Sequence, residues 1–176
     1  QESPSYAMRF VQGETLRTII RDFHESHGNQ DWSGLDGIRI LRSFVTVCET
    51  IAYAHSKNVI HRDLKSSNVM IGAFGETLVL DWGLAKLLTE PEDPPVDSAP
   101  NNSETQQPRS FPLGATLSGA TLGTVGFMSP EQARGDWASV KPAADIFSLG
   151  AILYQILTNR APYQGDGALT SARECT

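Results

Sequence analysis

Two acids, a lysine and an amide stand at fixed spacings in the run His61-Arg62-Asp63-Leu64-Lys65-Ser66-Ser67-Asn68 and in Asp81-Trp82-Gly83 further on. These groups could hold a metal-bound polyphosphate and point a hydroxyl at it. Phosphoryl transfer asks for positioning and charge neutralisation more than for covalent help. Magnesium takes oxygen ligands, commonly one or two carboxylates with phosphate and water completing the shell. Asp81 can supply a carboxylate and Asn68 an amide oxygen. Asp63 can accept a hydrogen bond from an attacking hydroxyl, and Lys65 can sit against the transferred phosphate.

These residues need elements to position them. Val59-Ile60 is a short apolar pair ahead of the loop, and Val69-Met70-Ile71 follows it. Gly72-Ala73-Phe74-Gly75 reads as a turn, and Thr77-Leu78-Val79-Leu80 is a β-prone run ending at Asp81. Two short strands about a Gly-containing turn predict a hairpin. Asn68 enters its first strand and Asp81 leaves its second, so both are expected at the same end. Upstream, Leu16, Ile19, Ile20 and Phe23 form a helical stripe over Thr15 to His24. A second stripe, Ile38, Leu41, Phe44, Val45, Cys48, Ile51 and Ala52, runs over Ile38 to His55, with Asp36 or Ser33 as N-cap. Asp145 to Leu157 is apolar nearly all round, which predicts a helix buried on every side.

Taken in order, the motifs resemble those of the eukaryotic-type Ser/Thr protein kinases, especially their bacterial branch. That family carries a His-Arg-Asp-Leu-x-x-x-Asn loop, an Asp-Phe-Gly triplet and an Ala-Pro-Glu triplet. Here they read HRDLKSSN, DWG and Ser129-Pro130-Glu131. The resemblance implies a protein-kinase-like α+β fold, mainly the helical C-lobe with a hinge strand and the small hairpin. It also implies ATP and Mg2+ as cofactors and protein Ser/Thr hydroxyls as acceptors. By resemblance, residues 5–16 are the last N-lobe strand and the hinge. Met8 is then the gatekeeper, the backbone of Arg9 and Val11 faces the adenine edge, and Met70 packs beneath the ring.

Further roles follow from the same resemblance. His61 and Trp82 stack in a packing column, Trp82 standing for the usual Phe and bringing an N–H that needs a partner. Ser66 replaces a common proline. Thr124 links Asp63 and Lys65 and, with Lys65, favours Ser/Thr over Tyr acceptors. Arg62 is set to pair with a phosphate added in the activation segment, at Thr116 or Ser118 and less so at Thr121. Glu131 and Asp145 are structural acids, Asp145 bracing the catalytic loop.

Asp81 to Glu131 is a long activation segment, and residues 89–112 hold six of the chain's 10 prolines with few apolar residues. That composition predicts a disordered insert. The partial kinase domain is expected over 5–165, with residues 166–176 an aperiodic tail. No Gly-rich loop, strand lysine or helix glutamate precedes Met8, and the family's last C-lobe helices and the arginine that pairs with Glu131 are not in evidence. The expectation is a truncated domain whose isolated form is inactive.

The chain has 176 residues, 40% of them hydrophobic, and a net charge of −6, which gives no basic footprint for nucleic acid. Its two cysteines, Cys48 and Cys175, suggest neither a disulfide framework nor a zinc site. No apolar run has the length of a membrane span, so no membrane contact is expected within this segment. A cytoplasmic location is expected for this segment, and the parent protein could be membrane-anchored outside it. Two other readings compete: a non-catalytic pseudokinase-like regulatory module, and a small-molecule phosphotransferase of kinase-like fold. The second is disfavoured because those relatives read His-Gly-Asp in the loop and lack a Ser-Pro-Glu segment.

Overall fold

Helix α1 spans Leu16–Ser26 and α2 spans Leu35–Ser56. The computed structural model describes residues 11–26, 31–88, 125–164 and 168–174. At the start of α1 the Thr15 hydroxyl accepts the Thr18 N–H at 3.2 Å, satisfying one of the free donors of the first turn. Leu16, Ile20 and Phe23 are buried as the stripe requires. The N-cap of α2 is Gly34, so neither Asp36 nor Ser33 caps it. Asp36 falls in the first turn, where its charge suits the helix dipole. Ser33 instead closes the preceding turn by donating to Asp31 Oδ1.

The buried face of α2 overlaps the predicted stripe only in part, at Ile51 and at half-buried Phe44 and Cys48. Gly37, Ile40, Val47, Ile51 and Ala54 face inward, while Ile38, Leu41, Val45 and Ala52 are exposed. Apolar residues lie on more than one face of this helix, and contact with α1 and with the later helices decides which is covered. Phe44 and Cys48 pack partly against the core.

Three strands stand in the order β1 (Glu14–Thr15), β3 (Val69–Ile71), β4 (Thr77–Val79), all antiparallel. The predicted hairpin is β3–β4, with Val69 opposite Val79 and Ile71 opposite Thr77. β2 (Val59–Ile60) pairs separately with β5 (Lys86–Leu87).

Three helices follow: α3 (Pro130–Arg134), α4 (Pro142–Thr158) and α5 (Ala168–Glu174). α4 starts at Pro142, ahead of Asp145, and is not buried all round. Asp145, Leu149, Ile152 and Ile156 face inward, but Ile146, Tyr154 and Leu157 are exposed at 57%, 46% and 50%. The stretch expected as an aperiodic tail contains α5, which packs on α3. Arg173 Nε donates to the Ala133 carbonyl at 2.8 Å, and Arg134 Nη1 donates to the Arg173 carbonyl at 2.9 Å. The core joins α1, α2, α4 and β3 through Leu16, Ile20, Ile40, Ile51, Val69 and Ile152. Met8, Arg9, Thr116, Ser118, Thr121, Thr124 and the expected insert at 89–112 lie outside the described residues.

Candidate active site

The loop after β2 is organised around a buried carboxylate from α4. Asp145 is 1% exposed. Its Oδ2 accepts the His61 N–H at 2.9 Å and His55 Nε2 at 2.8 Å, and its Oδ1 accepts the Arg62 N–H at 2.9 Å. Three donors satisfy a charge that would otherwise be costly to bury. Arg62 has φ of 71°, a left-handed conformation costing about 1–3 kcal/mol for a non-glycine residue. It persists because both flanking peptide groups are held. Asp145 takes the Arg62 N–H, and Gln132 Nε2 donates to its carbonyl at 2.6 Å.

His61 ties the loop to the hairpin. Its Nε2 donates to the Leu80 carbonyl at 3.0 Å, and its Nδ1 accepts the Asp63 N–H at 3.3 Å. Both bonds together require the neutral ring with its proton on Nε2. Burial pushes the His61 pKa below its ordinary value, opposed by the Leu80 carbonyl and the carboxylates of Asp145, Asp63 and Asp81. The electrostatics and the hydrogen bonding therefore agree on a neutral imidazole. Trp82 lies against it, ring centroids 4.5 Å apart, and the indole N–H finds the Val79 carbonyl at 3.0 Å.

Three of the predicted polar groups, Asp63, Lys65 and Asn68, converge. Lys65 Nζ lies 2.8 Å from Asp63 Oδ2, and Asn68 Nδ2 donates to the same oxygen at 3.2 Å and to the Asp63 carbonyl at 2.9 Å. Asp63 Oδ1 and Asn68 Oδ1 are the acceptors not used in this set. Asp81 follows directly on Leu80, whose N–H donates to the Asn68 carbonyl at 2.7 Å while its own carbonyl takes His61. Asp81 is exposed and left-handed, φ 62° and ψ 61°, at the head of a tight 3-10 turn over Trp82–Leu84. Its carboxylate has no hydrogen bond or ion pair among the described residues.

Met70 sits mid-strand in β3, opposite Thr15 and Leu78, and Val11 precedes β1. Glu131 lies half-buried in the first turn of α3 without an ion-pair partner among the described residues. Burial lowers the Arg62 pKa from its ordinary value, and Asp145 partly offsets this.

Several contributors escaped the sequence reading. His55 and Gln132 hold the loop, and the Trp137 ring lies 4.9 Å from the Arg62 guanidinium carbon. Gln132 had a legible signal, since Ser129-x-x-Gln132 is a capping box, and that box forms. Nothing in spacing singles out His55 or Trp137.

A buried aspartate bracing a loop that carries an acid, a lysine and an asparagine, beside a hairpin ending in a second acid, defines a kinase-type site. The protein kinase domain model matches residues 5–175, and the chain belongs to that family. It is 44% identical over 163 residues to Serine/threonine-protein kinase PknD of Protochlamydia amoebophila, covering 90% of this chain and 16% of that protein. It is also similar to PknD of Chlamydia abortus, at 34% over 161 residues, 90% of this chain and 16% of that protein. Against PknB of Mycobacterium tuberculosis the identity is 32% over 169 residues, 96% of this chain and 22% of that protein. The chain thus spans about one-sixth to one-fifth of the length of these relatives.

Proposed function

We propose that the protein carrying this segment is a Ser/Thr protein kinase that transfers the ATP γ-phosphoryl group to protein hydroxyls. The observation that carries this reading is the meeting of Lys65 and Asn68 on one oxygen of Asp63. That arrangement leaves Asp63 Oδ1 for an incoming hydroxyl and commits Asn68 to offering its Oδ1 elsewhere. Asp81 adds an exposed carboxylate, without a partner among the described residues, tied through Leu80 to the same strand end. An amide oxygen and a carboxylate suit Mg2+, which takes few protein ligands when phosphate supplies the others. Asn68 and Asp81 would hold the ion, whose charge would offset that of the phosphate oxygens.

Asp63 accepts the hydrogen bond of the acceptor alcohol and orients its oxygen. As that oxygen bonds to the γ-phosphorus, the bond to the β–γ bridging oxygen breaks, ADP departs with the electron pair, and the alcohol proton passes to Asp63. Lys65 opposes the negative charge of the transferred group. By the family resemblance, Met8, Arg9, Val11 and Met70 would border the adenine, Thr124 would act with Asp63 and Lys65, and Thr116 or Ser118, less so Thr121, would be the modification sites. The kinase names of the relatives favour this reading over a binding-only module. Among the described residues no helix is long and apolar enough to cross a membrane.

The test is transfer of label from γ-labelled ATP to a Ser/Thr substrate by the full-length protein. Asp63→Asn should lower kcat by about 10²–10⁴-fold, the usual weight of a proton acceptor. Equal turnover by the variant and the parent would sink the assignment.

A further inference from the structure

Arg62 is gripped by one short stretch of chain. Gln132 in α3 donates to its carbonyl at 2.6 Å, and Trp137, five residues on, presents its ring 4.9 Å from the guanidinium carbon. The guanidinium forms no hydrogen bond or ion pair among the described residues, and its Nε is buried without a partner. A half-buried cation is poorly placed when the carboxylate at hand, Asp145, bonds its backbone N–H rather than its guanidinium, unless something replaces its water. An aromatic face does so, because guanidinium is weakly hydrated and is drawn to the electron-rich face of an indole.

We propose that Trp137 is a positioning residue for phosphoryl transfer: it holds the Arg62 side chain, and hence the strained backbone that presents Asp63, without a phosphate on the activation segment. Arg62 keeps its left-handed backbone only while its surroundings over-determine it. Asp145 and Gln132 fix its two peptide groups, and Trp137 fixes the side chain. Without the indole, the guanidinium gains by turning toward water. The nearest peptide to yield is the one leading into Asp63. A phosphate added nearby would supply a second hold, so Trp137 matters most in the unmodified protein. The proposal rests on the kinase reading above.

The experiment uses phosphatase-treated full-length protein with Trp137→Leu, Trp137→Phe and Asp63→Asn. The parent should retain phosphotransfer within about threefold of its untreated rate, and Trp137→Leu should lose about tenfold in kcat with KM for ATP within about twofold. Trp137→Phe, which keeps an aromatic face, should recover most of that loss. A readout independent of turnover is hydrogen exchange, which should quicken about threefold or more across residues 61–64 in Trp137→Leu and not in Trp137→Phe. Collapse of parent activity on phosphatase treatment overturns the proposal. So does a Trp137→Leu enzyme that matches the parent in kcat and exchange, or a Trp137→Phe enzyme as impaired as Trp137→Leu. A parent whose turnover is untouched by Asp63→Asn overturns the kinase reading and this proposal together. A parent sensitive to Asp63→Asn but indifferent at Trp137 overturns this proposal alone.

Discussion

His61 shows how one side chain joins two halves of a site. It gives its single ring proton to Leu80, next to Asp81, and receives the amide proton of Asp63. A second ring proton would destroy the Asp63 bond. Its pKa is lowered in the folded protein, mainly by burial. Below the ordinary histidine value of about 6.5 the unfolded chain therefore binds more protons than the folded one, and stability falls as pH drops through that value toward the folded pKa. Above pH of about 7.5 this contribution is constant. Thermal unfolding of the intact protein should lose stability more steeply below about pH 6.5 than that of His61→Phe. Parallel curves for the two would refute the coupling. Ser66 offers the opposite case. Its hydroxyl is buried, at 1% residue exposure, and has no partner among the described residues. Ser66→Ala should raise the unfolding free energy by about 1 kcal/mol, the penalty of a stranded hydroxyl. A loss of stability in denaturant titration would mean that the hydroxyl is satisfied after all.

At the scale of elements, legibility followed periodicity and local chemistry. The β3–β4 hairpin was readable because both strands are short, β-prone and separated by glycines, and its register brings Asn68 and Leu80 together. Helix α1 was readable because its apolar residues lie on a single stripe. For α2 the length was readable and the face was not, since Ile38, Leu41 and Val45 compete with Ile40 and Val47 until neighbouring helices choose. Helix α5 has few large apolar side chains and is held by arginine-to-carbonyl bonds with α3, which no hydrophobic pattern announces. Gly13 is a further contact of this kind. Its φ is 150°, and a Cβ there would stand 2.5 Å from the Ile71 carbonyl oxygen and 3.0 Å from its carbon. Gly13→Ala must push β1 off β3 at the edge of the expected nucleotide site. It should cost about 1–3 kcal/mol of overpacking, added to the backbone strain. Gly75→Ala, with φ of 89° but open space around the new methyl, should cost only about 1 kcal/mol of backbone strain. Equal losses in thermal unfolding would show that sterics at Ile71 are not the cause.

Across the whole molecule, the site is assembled from pieces far apart in sequence. Asp145 in α4 grips residues 84 and 83 positions earlier, and Gln132 grips one 70 positions earlier. Asp63, Lys65 and Asn68 were visible because they sit close together in one loop, and Asp81 because it opens a distinct triplet after a β-prone run. Their supports were not, because each reaches the loop only through the packing of α3 and α4. The same helix that anchors the site with one face leaves another in water. Ile146, Tyr154 and Leu157 lie eight and three residues apart, on one side of α4, each exposed by 46% or more. A row of large apolar groups facing solvent favours association, since covering it removes apolar area from water at about 25 cal/mol per Å². The isolated 176-residue chain should therefore self-associate and bind an apolar fluorescent dye. The pair Ile146→Lys and Leu157→Glu should reduce both, without disturbing Asp145 on the opposite face. Light scattering behind a sizing column reads the outcome. A chain that elutes as a monomer and binds no dye would mean that α4 has no apolar face in need of cover.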